Sequence, residues 1–335
     1  MKLVLKNYNI LIQNHLLNQL NLEIKKLYQH QDIFIITDEN LYKIYHDTLK
    51  KELYDFHIHF VVIKPGEHSK SLKTYQEVVS KLIDLGMRRN HLMIAFGGGV
   101  VGDLAGFVAA TLYRGVSFIQ IPTSLLAMVD SSIGSKTGID LDEGKNLVGA
   151  FYDPKVVFID PIFLETLPEE EYKNGLAEVL KAGLIDDVSL FEYLKKYEKL
   201  TIDEIIKAIQ VKQRIVTKDP FEKHERMYLN FGHTFGHAIE KHFQYAIKHG
   251  VAVSYGMLFS LEEGIKRGIT KDKTLYDETK TILLRLGLIN EPILDKKQFI
   301  KYLQFDKKHL ADGLRFVFLE DKGNPIIQKG VVFND

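Results

Sequence analysis

Short runs of β-branched and aromatic residues alternate with helix-like segments from about residue 30 to residue 160. Each run ends at a polar residue, a glycine or a proline, as buried strands commonly do. The predicted strands span residues 33–37, 59–63, 92–96, 116–121 and 156–159. This alternation is typical of a parallel sheet that is covered by helices and binds ligands at the carboxyl ends of its strands.

After Pro161 the apolar positions follow helical spacing, and little strand pattern appears before about residue 305. A final apolar run at 314–319, followed by Asp321-Lys322-Gly323-Asn324, predicts a strand and a turn. We therefore predict two domains, an α/β domain with a parallel sheet over 1–160 and a mostly α-helical domain over 161–335.

The composition restricts the partners and the chemistry of the chain. Its 44 basic and 44 acidic side chains cancel, which argues against nucleic acid or an anionic membrane as a partner. No apolar run reaches the roughly 18 residues of a membrane-spanning helix, and we expect a cytoplasmic protein. The chain has no Cys, so any metal must be held by His, Asp or Glu.

A glycine-rich turn follows the strand predicted at 92–96 and reads Gly97-Gly98-Gly99-Val100-Val101-Gly102-Asp103. It matches the dinucleotide-binding pattern G-x-G-x-x-G in the required strand–turn–helix context, and we expect a Rossmann-like first domain, although not a standard Rossmann site. Taken alone, the pattern fits equally well a tight turn that needs positive φ.

The acidic residue that usually holds the ribose of a dinucleotide is missing between Leu104 and Val129. Asp38, Glu67 and Lys70 lie at or just after the ends of other predicted strands and are candidates for this contact. Each of them alone is also typical of a solvated turn.

Two histidines four residues apart, His233 and His237, would share one face of a helix, and His249 follows them. Such pairs are more often packing or surface residues, but the glycines and Asn230 around this pair are poor helix formers, which favours a function. Glu178 is a candidate carboxylate for a metal site of His nitrogens and one acidic group. The alternative interpretation of Glu178 is a surface ion pair with Lys181.

Several cations lie among Gly, Ser and Thr residues, where phosphate or carboxylate groups commonly bind. They are Arg114, Lys136 and Lys145, and the segment does not match a Walker loop. Lys212 and Arg226 add positive charge in the helical half, although the Lys-rich helices there are also typical of solvated faces. These cations indicate a small substrate with more than one anionic group.

Together these motifs resemble those of the 3-dehydroquinate synthase family, in order and with its spacing, over about residues 38–260. The matching segments are 97–107, 114–116, 122–127, 129–134, 144–146, 166–168, 177–179 and 230–237. No single segment is specific for this family, but the whole set of segments is.

The resemblance implies a carbon–oxygen (phosphate) lyase of the shikimate pathway. Such an enzyme converts 3-deoxy-D-arabino-heptulosonate 7-phosphate to 3-dehydroquinate and phosphate. The implied steps are transient oxidation by NAD, β-elimination, re-reduction and intramolecular aldol closure. The resemblance further implies a divalent metal, Zn²⁺ or else Co²⁺, and a homodimer that binds a small sugar phosphate.

The resemblance also implies roles for individual residues. The implied metal ligands are Glu178, His233 and His249. The implied phosphate ligands are Lys136, Asn146, Asn230 and His237, with Arg114 from a second subunit. The residues implied to bind the carboxylate are Lys212 and Arg226, and those implied to contact the reacting hydroxyls are Asp130 and Lys181. The implied NAD site consists of Asp38, Glu67, Lys70, Gly98, Gly99, Asp103, Thr123, Ser124, Lys136, Lys145, Phe163 and Thr166. Lys307 and Lys308 are both candidates for a cation that closes over the phosphate.

Three positions depart from the commonest pattern of the family: Ser124 replaces Thr, Ser135 replaces Gly and Val251 replaces Glu. Ser124 keeps the hydroxyl group. Ser135 adds a Cβ where positive φ could be needed, and Val251 lies close to the implied ligand His249.

Three other functions remain as alternatives. They are a cyclase acting on another sugar phosphate, a metal-dependent polyol dehydrogenase and a nucleotide-binding module without catalysis. Lys212 and Arg226 argue against substrates that lack a carboxylate. The phosphate-binding cations argue against the dehydrogenase, and the His/Glu set argues against the binding module.

Overall fold

The structure of the protein is a computed structural model that describes residues 1–307 and 314–333, without the side chains of 304–307. The chain divides into two compact units, Met1–Pro168 and Glu169–Asp335. Lys308 and the side chain of Lys307, the two candidates for closure over the phosphate, lie outside the described residues.

Nine strands form the sheets of the first unit. They are β1 (Lys2–Val4), β2 (Asn9–Ile12), β3 (Asp32–Asp38), β4 (His57–Ile63), β5 (Leu92–Gly97), β6 (Ser117–Pro122), β7 (Lys136–Leu141), β8 (Gly144–Phe151) and β9 (Val156–Ile159). Seven of them build one sheet in the order β1-β2-β9-β6-β5-β3-β4, and β7 and β8 pair with each other. All pairs in the large sheet are parallel except β1 with β2.

Four helices connect these strands: α1 (Leu20–Lys25), α2 (Glu39–Glu52), α3 (Leu72–Asp84) and α4 (Gly99–Thr111). Side chains at their first turns fix where two of them begin, because Asp38 accepts hydrogen bonds at the start of α2 and Ser71 does so for α3. Helix α4 follows β5 directly, and its apolar residues pack in the core of the unit with β6 and β7.

The first unit extends to Pro168, so the boundary predicted at residue 160 falls inside it. The reason is a short 3-10 turn, Pro161–Glu165, whose Phe163 ring packs against Tyr45 and Phe96. The strands predicted at 33–37, 59–63, 92–96, 116–121 and 156–159 correspond to β3, β4, β5, β6 and β9. The sequence pattern does not predict strands β1, β2, β7 and β8.

The second unit contains seven helices and one hairpin among its described residues. They are α5 (Glu169–Ile185), α6 (Val188–Leu194), α7 (Ile202–Lys218), α8 (His233–His242), α9 (His249–Lys266), α10 (Leu275–Arg285), α11 (Lys297–Lys307), β10 (Arg315–Asp321) and β11 (Asn324–Lys329). The strand and turn predicted at the end of the chain are confirmed as this hairpin. None of the helices in the described part of the chain is long and apolar enough to cross a membrane.

Glycines allow the helices of the second unit to approach closely where the candidate site lies. A Cβ added at Gly256 of α9 would lie 1.9 Å from the carbonyl oxygen of Gly232, the residue before α8. Gly232 itself has a φ of 79°, in the left-handed region that favours glycine. The start of α8 therefore rests directly on the backbone of α9.

Candidate functional site

Glu178, His233 and His249 come together in the second unit, as the resemblance implies. One ligand atom from each residue lies within 4.8 Å of the ligand atoms of the other two. Oε1 of Glu178 is 3.7 Å from Nε2 of His233 and 3.6 Å from Nε2 of His249. A buried carboxylate therefore faces two imidazoles that come from the first residues of α8 and α9.

Close backbone contact between α5 and α9 sets this geometry. A Cβ at Gly250 would lie 2.3 Å from the carbonyl oxygen of Asn174, so only glycine fits. The Gly250 N–H donates a hydrogen bond to Oδ1 of Asn174, which satisfies a donor that the first turn of α9 leaves open. Asn174 lies one turn before Glu178 on α5, and the same helix therefore fixes His249 and supplies the carboxylate.

The atoms of this cluster fit a divalent cation. The buried Oε1 of Glu178 lies 3.7 Å from Nε2 of His233 and 3.6 Å from Nε2 of His249, too far for a strong hydrogen bond, and a buried carboxylate oxygen without one is costly. Nδ1 of His233 lies 3.2 Å from the carbonyl oxygen of Phe231, and Nδ1 of His249 lies 3.4 Å from Oε1 of Glu240. With protons on both Nδ1 atoms, the two Nε2 lone pairs are available to a cation.

The protonation states also suit cation binding. Burial would raise the pKa of Glu178, but the charge of Lys181 and the two imidazoles outweigh burial and hold it well below its ordinary value. Burial and the charge of Lys181 hold the pKa of His233 well below its ordinary value. Burial lowers the pKa of His249, but the carboxylates of Glu178 and Glu240 outweigh it and raise that pKa to about 9. A cation thus meets a carboxylate and a neutral His233, and it displaces a proton from His249.

Lys181 completes this part of the site. Its Nζ contacts Oε2 of Glu178, and the side chains of Lys181 and Glu178 are only 3% and 2% exposed. The alternative of a surface ion pair is therefore wrong. His237 lies one turn after His233, its ring centroid 5.5 Å from that of His233, and it is exposed rather than part of the cluster.

The other predicted residues of the second unit lie on α7 and on the segment between α7 and α8. Arg226 is buried, and its Nη1 donates a hydrogen bond to the carbonyl oxygen of Pro220. Nδ2 of Asn230 donates to Oε1 of Glu222 at 2.7 Å. Lys212 lies on α7 and is half-buried.

A second cluster, in the first unit, surrounds the buried Lys70. Its Nζ is 2.7 Å from Oδ2 of Asp103 and 3.9 Å from a carboxylate oxygen of both Glu67 and Asp140. Nζ of Lys145 is 3.7 Å from Oε1 of Glu67. The structure thus brings together four residues of the implied NAD site, and for Lys70 the alternative of a solvated turn charge is wrong because it is only 4% exposed.

Three acidic groups govern the charge of Lys70. Burial lowers the pKa of its ammonium group, but the neighbouring carboxylates of Asp103, Glu67 and Asp140 outweigh burial and raise the pKa above its ordinary value. Lys70 therefore stays protonated at neutral pH and binds the surrounding loops together.

The glycine turn runs from the last residue of β5 into the first turn of α4, and its glycines are needed for close approach rather than for φ. None of Gly97, Gly98, Gly99 and Gly102 has a positive φ, so the alternative of a tight turn of that kind is wrong. A Cβ at Gly97 would lie 2.5 Å from Cβ of Val101, and one at Gly99 would lie 3.1 Å from Oγ of Ser131. The bare backbone at the start of α4 fits the close approach of a pyrophosphate.

Thr123 and Ser124 lie beside this turn, at the carboxyl end of β6. The Thr123 N–H donates to the carbonyl oxygen of Gly97 at 3.0 Å, and a Cβ at Gly98 would lie 3.4 Å from Oγ of Ser124. The Ser124 hydroxyl also accepts a hydrogen bond from the N–H of Ala127. The smaller hydroxyl residue at 124 thus lies directly against the glycine turn.

Ser135 has a positive φ, as expected at a position where the family pattern has Gly. Its φ is 62°, and its hydroxyl donates a hydrogen bond to Asp153, which holds the residue before Lys136 in place. Asn146 also has a positive φ, of 57°, and its N–H donates to Oδ1 of Asp140 at 2.7 Å. Asp140 therefore links the Lys70 cluster to Asn146.

The remaining predicted residues of the first unit have separate surroundings. The carboxylate of Asp38 caps α2, and the Phe163 side chain is buried against Tyr45 and Phe96. Oγ1 of Thr166 is 2.7 Å from the hydroxyl oxygen of Tyr45. Arg114 has a φ of 63° in the turn after α4, and Asp130 lies in a short π-helical turn. For these residues the implied roles stay predictions.

Sequence reasoning gave no role to Glu240, Asn174 and Asp140. Glu240 lies two turns after His233 on α8, and this spacing is a signal that the sequence contains. Asn174 and Asp140 contact residues distant in the chain, and no local pattern marks them.

Solved structures with this fold define its class. A 2-epi-5-epi-valiolone synthase from Streptomyces hygroscopicus subsp. jinggangensis, with NAD⁺ and Zn²⁺ bound, is 26% identical with a TM-score of 0.89, covering 98% of this chain and 94% of that one. An iron-containing alcohol dehydrogenase from Thermococcus thioreducens is 15% identical with a TM-score of 0.67, covering 96% and 94%, and shares the fold alone. The fold and the cluster of Glu178 and two histidines thus define a protein of the sugar-phosphate cyclase class.

Comparison with curated relatives and family models narrows this class. The models "3-dehydroquinate synthase N-terminal" and "3-dehydroquinate synthase C-terminal" match residues 60–174 and 175–309. The 3-dehydroquinate synthase of Clostridium botulinum is 42% identical over 96% of this chain and 95% of the relative. That of Clostridium kluyveri is 43% identical over 95% and 91%. The chain belongs to the 3-dehydroquinate synthase family, and the predicted family, fold class and enzyme class are confirmed.

Proposed function

We propose that the protein converts 3-deoxy-D-arabino-heptulosonate 7-phosphate to 3-dehydroquinate and phosphate, as a 3-dehydroquinate synthase of the shikimate pathway. The observation that carries the proposal is the convergence of Glu178, His233 and His249 on one buried position. Membership of the family supports the substrate, and the glycine turn before α4 supports the dinucleotide.

Glu178, His233 and His249 hold the divalent cation, with Zn²⁺ favoured and Co²⁺ as the other candidate. NAD lies against Gly98, Gly99, Thr123 and Ser124, and the Lys70 cluster supplies the polar contacts that the turn lacks. When bound, the cation stabilises negative charge on a substrate oxygen, and NAD takes up and returns a hydride.

The anionic groups of the substrate are held by two sets of side chains. Lys136, Asn146, Asn230 and His237 bind the phosphate, together with Arg114 from a second copy of the chain. Lys212 and Arg226 bind the carboxylate. Binding at both ends of the substrate restricts its motion, so that binding energy is used to orient the reacting carbon atoms.

Asp130 and Lys181 contact the reacting hydroxyl groups. Lys181 is suited to this role because it is buried and already contacts Glu178, which keeps its ammonium group in a fixed position. An ammonium group there stabilises negative charge that develops on a substrate oxygen. His237 and Lys136 place the phosphate for elimination, and the phosphate itself can accept the proton that is lost.

The protein acts as a cytoplasmic homodimer, as the resemblance implies. Strand β8 supports a dimer because its Leu147, Val148 and Phe151 are exposed, at 48%, 36% and 49%. Exposed apolar side chains on such a strand are typical of a surface that a second chain covers.

A single assay tests the proposed reaction. The purified protein is incubated with the heptulosonate phosphate, a trace of NAD and Zn²⁺, while phosphate release and NADH absorbance are followed together. We expect many turnovers of phosphate release for each NAD, without accumulation of NADH. NADH formed in proportion to substrate would instead indicate a dehydrogenase, and turnover of a sugar phosphate without a carboxylate at an equal rate would indicate another cyclase.

A further inference from the structure

A second carboxylate lies behind the proposed metal site. Glu240 of α8 is only 1% exposed, and its Oε1 is 3.4 Å from Nδ1 of His249. The other ring nitrogen of His249, Nε2, is 3.6 Å from Oε1 of Glu178. The imidazole of His249 therefore lies between two buried carboxylates, one on the side of the proposed cation and one on the opposite side.

The backbone and the ring of His249 are held by different residues. Asn174 fixes the backbone because its Oδ1 accepts the hydrogen bond from the N–H of Gly250. That contact leaves the side-chain torsions of His249 undetermined. Glu240 contacts the ring itself, and it comes from the helix whose first residue is His233. One helix thus supplies one proposed ligand and the residue that contacts another.

We propose that Glu240 is a positioning residue that orients the imidazole of His249 toward the divalent cation. A carboxylate beside Nδ1 keeps the proton on that nitrogen, so that the lone pair of Nε2 points toward Glu178. This inference rests on the proposed metal role of Glu178, His233 and His249.

In this chain the carboxylate beside Nδ1 of His249 comes from Glu240. A carboxylate this deeply buried is costly without a partner, and His249 is one partner that the structure gives it.

The test is a metal titration of the apoprotein, which needs no substrate. Wild type, Glu240→Ala and Glu240→Gln are stripped with a chelator and titrated with Co²⁺ alone, and affinity and the visible absorption spectrum are recorded. We expect Glu240→Ala to raise the Kd for Co²⁺ by about 10–100-fold, the usual effect of removing such a partner. Glu240→Gln keeps the size of the side chain and an oxygen acceptor, and we expect a smaller rise, of about threefold or more.

Glu263→Gln is the matched control, because Glu263 is a buried glutamate of the same unit that pairs with Lys296 and Arg267. We expect the Kd of this variant for Co²⁺ to stay within about twofold of the wild-type value even if its Tm falls. If Glu240→Ala does not fold, the Gln variant decides. A folded Glu240 variant with the wild-type Kd and the wild-type Co²⁺ spectrum would overturn the proposal.

Failure of this inference can be told apart from failure of the metal site. Glu178→Gln and His249→Ala are titrated in the same way. If they bind Co²⁺ as wild type does, the proposed metal role itself is wrong. If they lose the metal while both Glu240 variants keep it unchanged, only the role of Glu240 is wrong.

Discussion

Contacts with neighbouring residues fix the direction in which single functional side chains of the second unit point. Arg226 is the clearest case after the metal cluster. Its backbone N–H donates to Oδ2 of Asp219 at 3.1 Å, and its guanidinium group donates to the carbonyl oxygen of Pro220. A buried guanidinium group that is anchored at one end is suited to bind a carboxylate in a fixed direction.

Arg226→Ala should therefore weaken substrate binding more than the chemical step. Hydrogen bonds to charged groups contribute about 1.5–3 kcal/mol, so we expect KM to rise by about 10–100-fold with a smaller change in kcat. Steady-state kinetics with the heptulosonate phosphate measure both constants. Arg214→Ala is the control, because Arg214 lies on α7 and pairs with the exposed Asp186. An unchanged KM in the Arg226 variant would contradict the carboxylate-binding role.

Among the elements of the fold, α8 and α9 decide the geometry of the proposed metal site because His233 and His249 are their first residues. Both helix starts depend on glycines that touch a neighbouring backbone, at Gly232 with Gly256 and at Gly250 with Asn174. The separation of the two imidazoles is thus set by backbone contact, which side-chain motion cannot easily change.

Gly256→Ala should move α8 away from α9 and damage the metal site without touching a ligand. The added Cβ has no room, and overpacking of this kind costs about 1–3 kcal/mol. We expect a lower free energy of unfolding in urea and a weaker affinity for Co²⁺. Ser260→Ala, one turn further along α9, removes atoms instead of adding them and should keep the affinity. Wild-type affinity in Gly256→Ala would show that the helix contact does not control the site.

The segment after α7 should respond to pH through Asp219. Burial would raise the pKa of this carboxyl group, but hydrogen bonds from the backbone N–H groups of His224, Lys223 and Arg226 outweigh burial and lower it. A carboxylate with a lowered pKa stabilises the folded state above its unfolded pKa of about 3.9, and this contribution is lost as the pH falls through the folded value.

Asp219→Asn should accordingly reduce the free energy of unfolding by about 1–3 kcal/mol at pH 7, since it replaces a charged acceptor of three hydrogen bonds. The difference in free energy of unfolding between wild type and the variant should remain constant down to about pH 5 and shrink below the pKa of Asp in the unfolded state. Urea unfolding at several pH values measures it. A difference that grows as the pH falls has the wrong sign for this explanation.

For the molecule as a whole, local patterns predict more of the first unit than of the second. Strand β5 and the turn at Gly97–Gly102 are contiguous in the chain, so that sequence alone places them correctly. The β7–β8 hairpin escapes prediction because β8 is mostly exposed and polar residues interrupt its apolar pattern. Phe163 joins the first unit through ring contacts that no periodicity marks.

Local sequence patterns likewise fail to identify the residues of the metal cluster. Spacing alone pairs His233 with His237, but the structure pairs His233 with His249 and with Glu178 of α5. Only the resemblance to a family identifies that set from the sequence, because the three residues come from three helices. Glu240 is missed because its partner His249 lies on the next helix, although its spacing from His233 fits one helix face.

At the scale of the assembly, the exposed apolar residues of β8 predict a dimer. A charged residue substituted on this strand should weaken that dimer. We expect the wild type to have twice the chain mass of 38.5 kDa by light scattering, and Leu147→Lys to shift the protein toward the monomer. Leu22→Lys is the control, because Leu22 is an exposed leucine of α1. A monomeric wild type at micromolar concentration would contradict the proposed homodimer and, with it, the role of Arg114 from a second copy.

The central claim is that Glu178, His233 and His249 hold one divalent cation. Anomalous X-ray diffraction at the zinc absorption edge, from crystals of the Zn²⁺-loaded protein, tests it most directly. We expect one strong anomalous peak within about 2.0–2.2 Å of a carboxylate oxygen of Glu178 and of Nε2 of both histidines. A fully loaded protein whose zinc peak lies elsewhere, or touches fewer than these three residues, would contradict the claim.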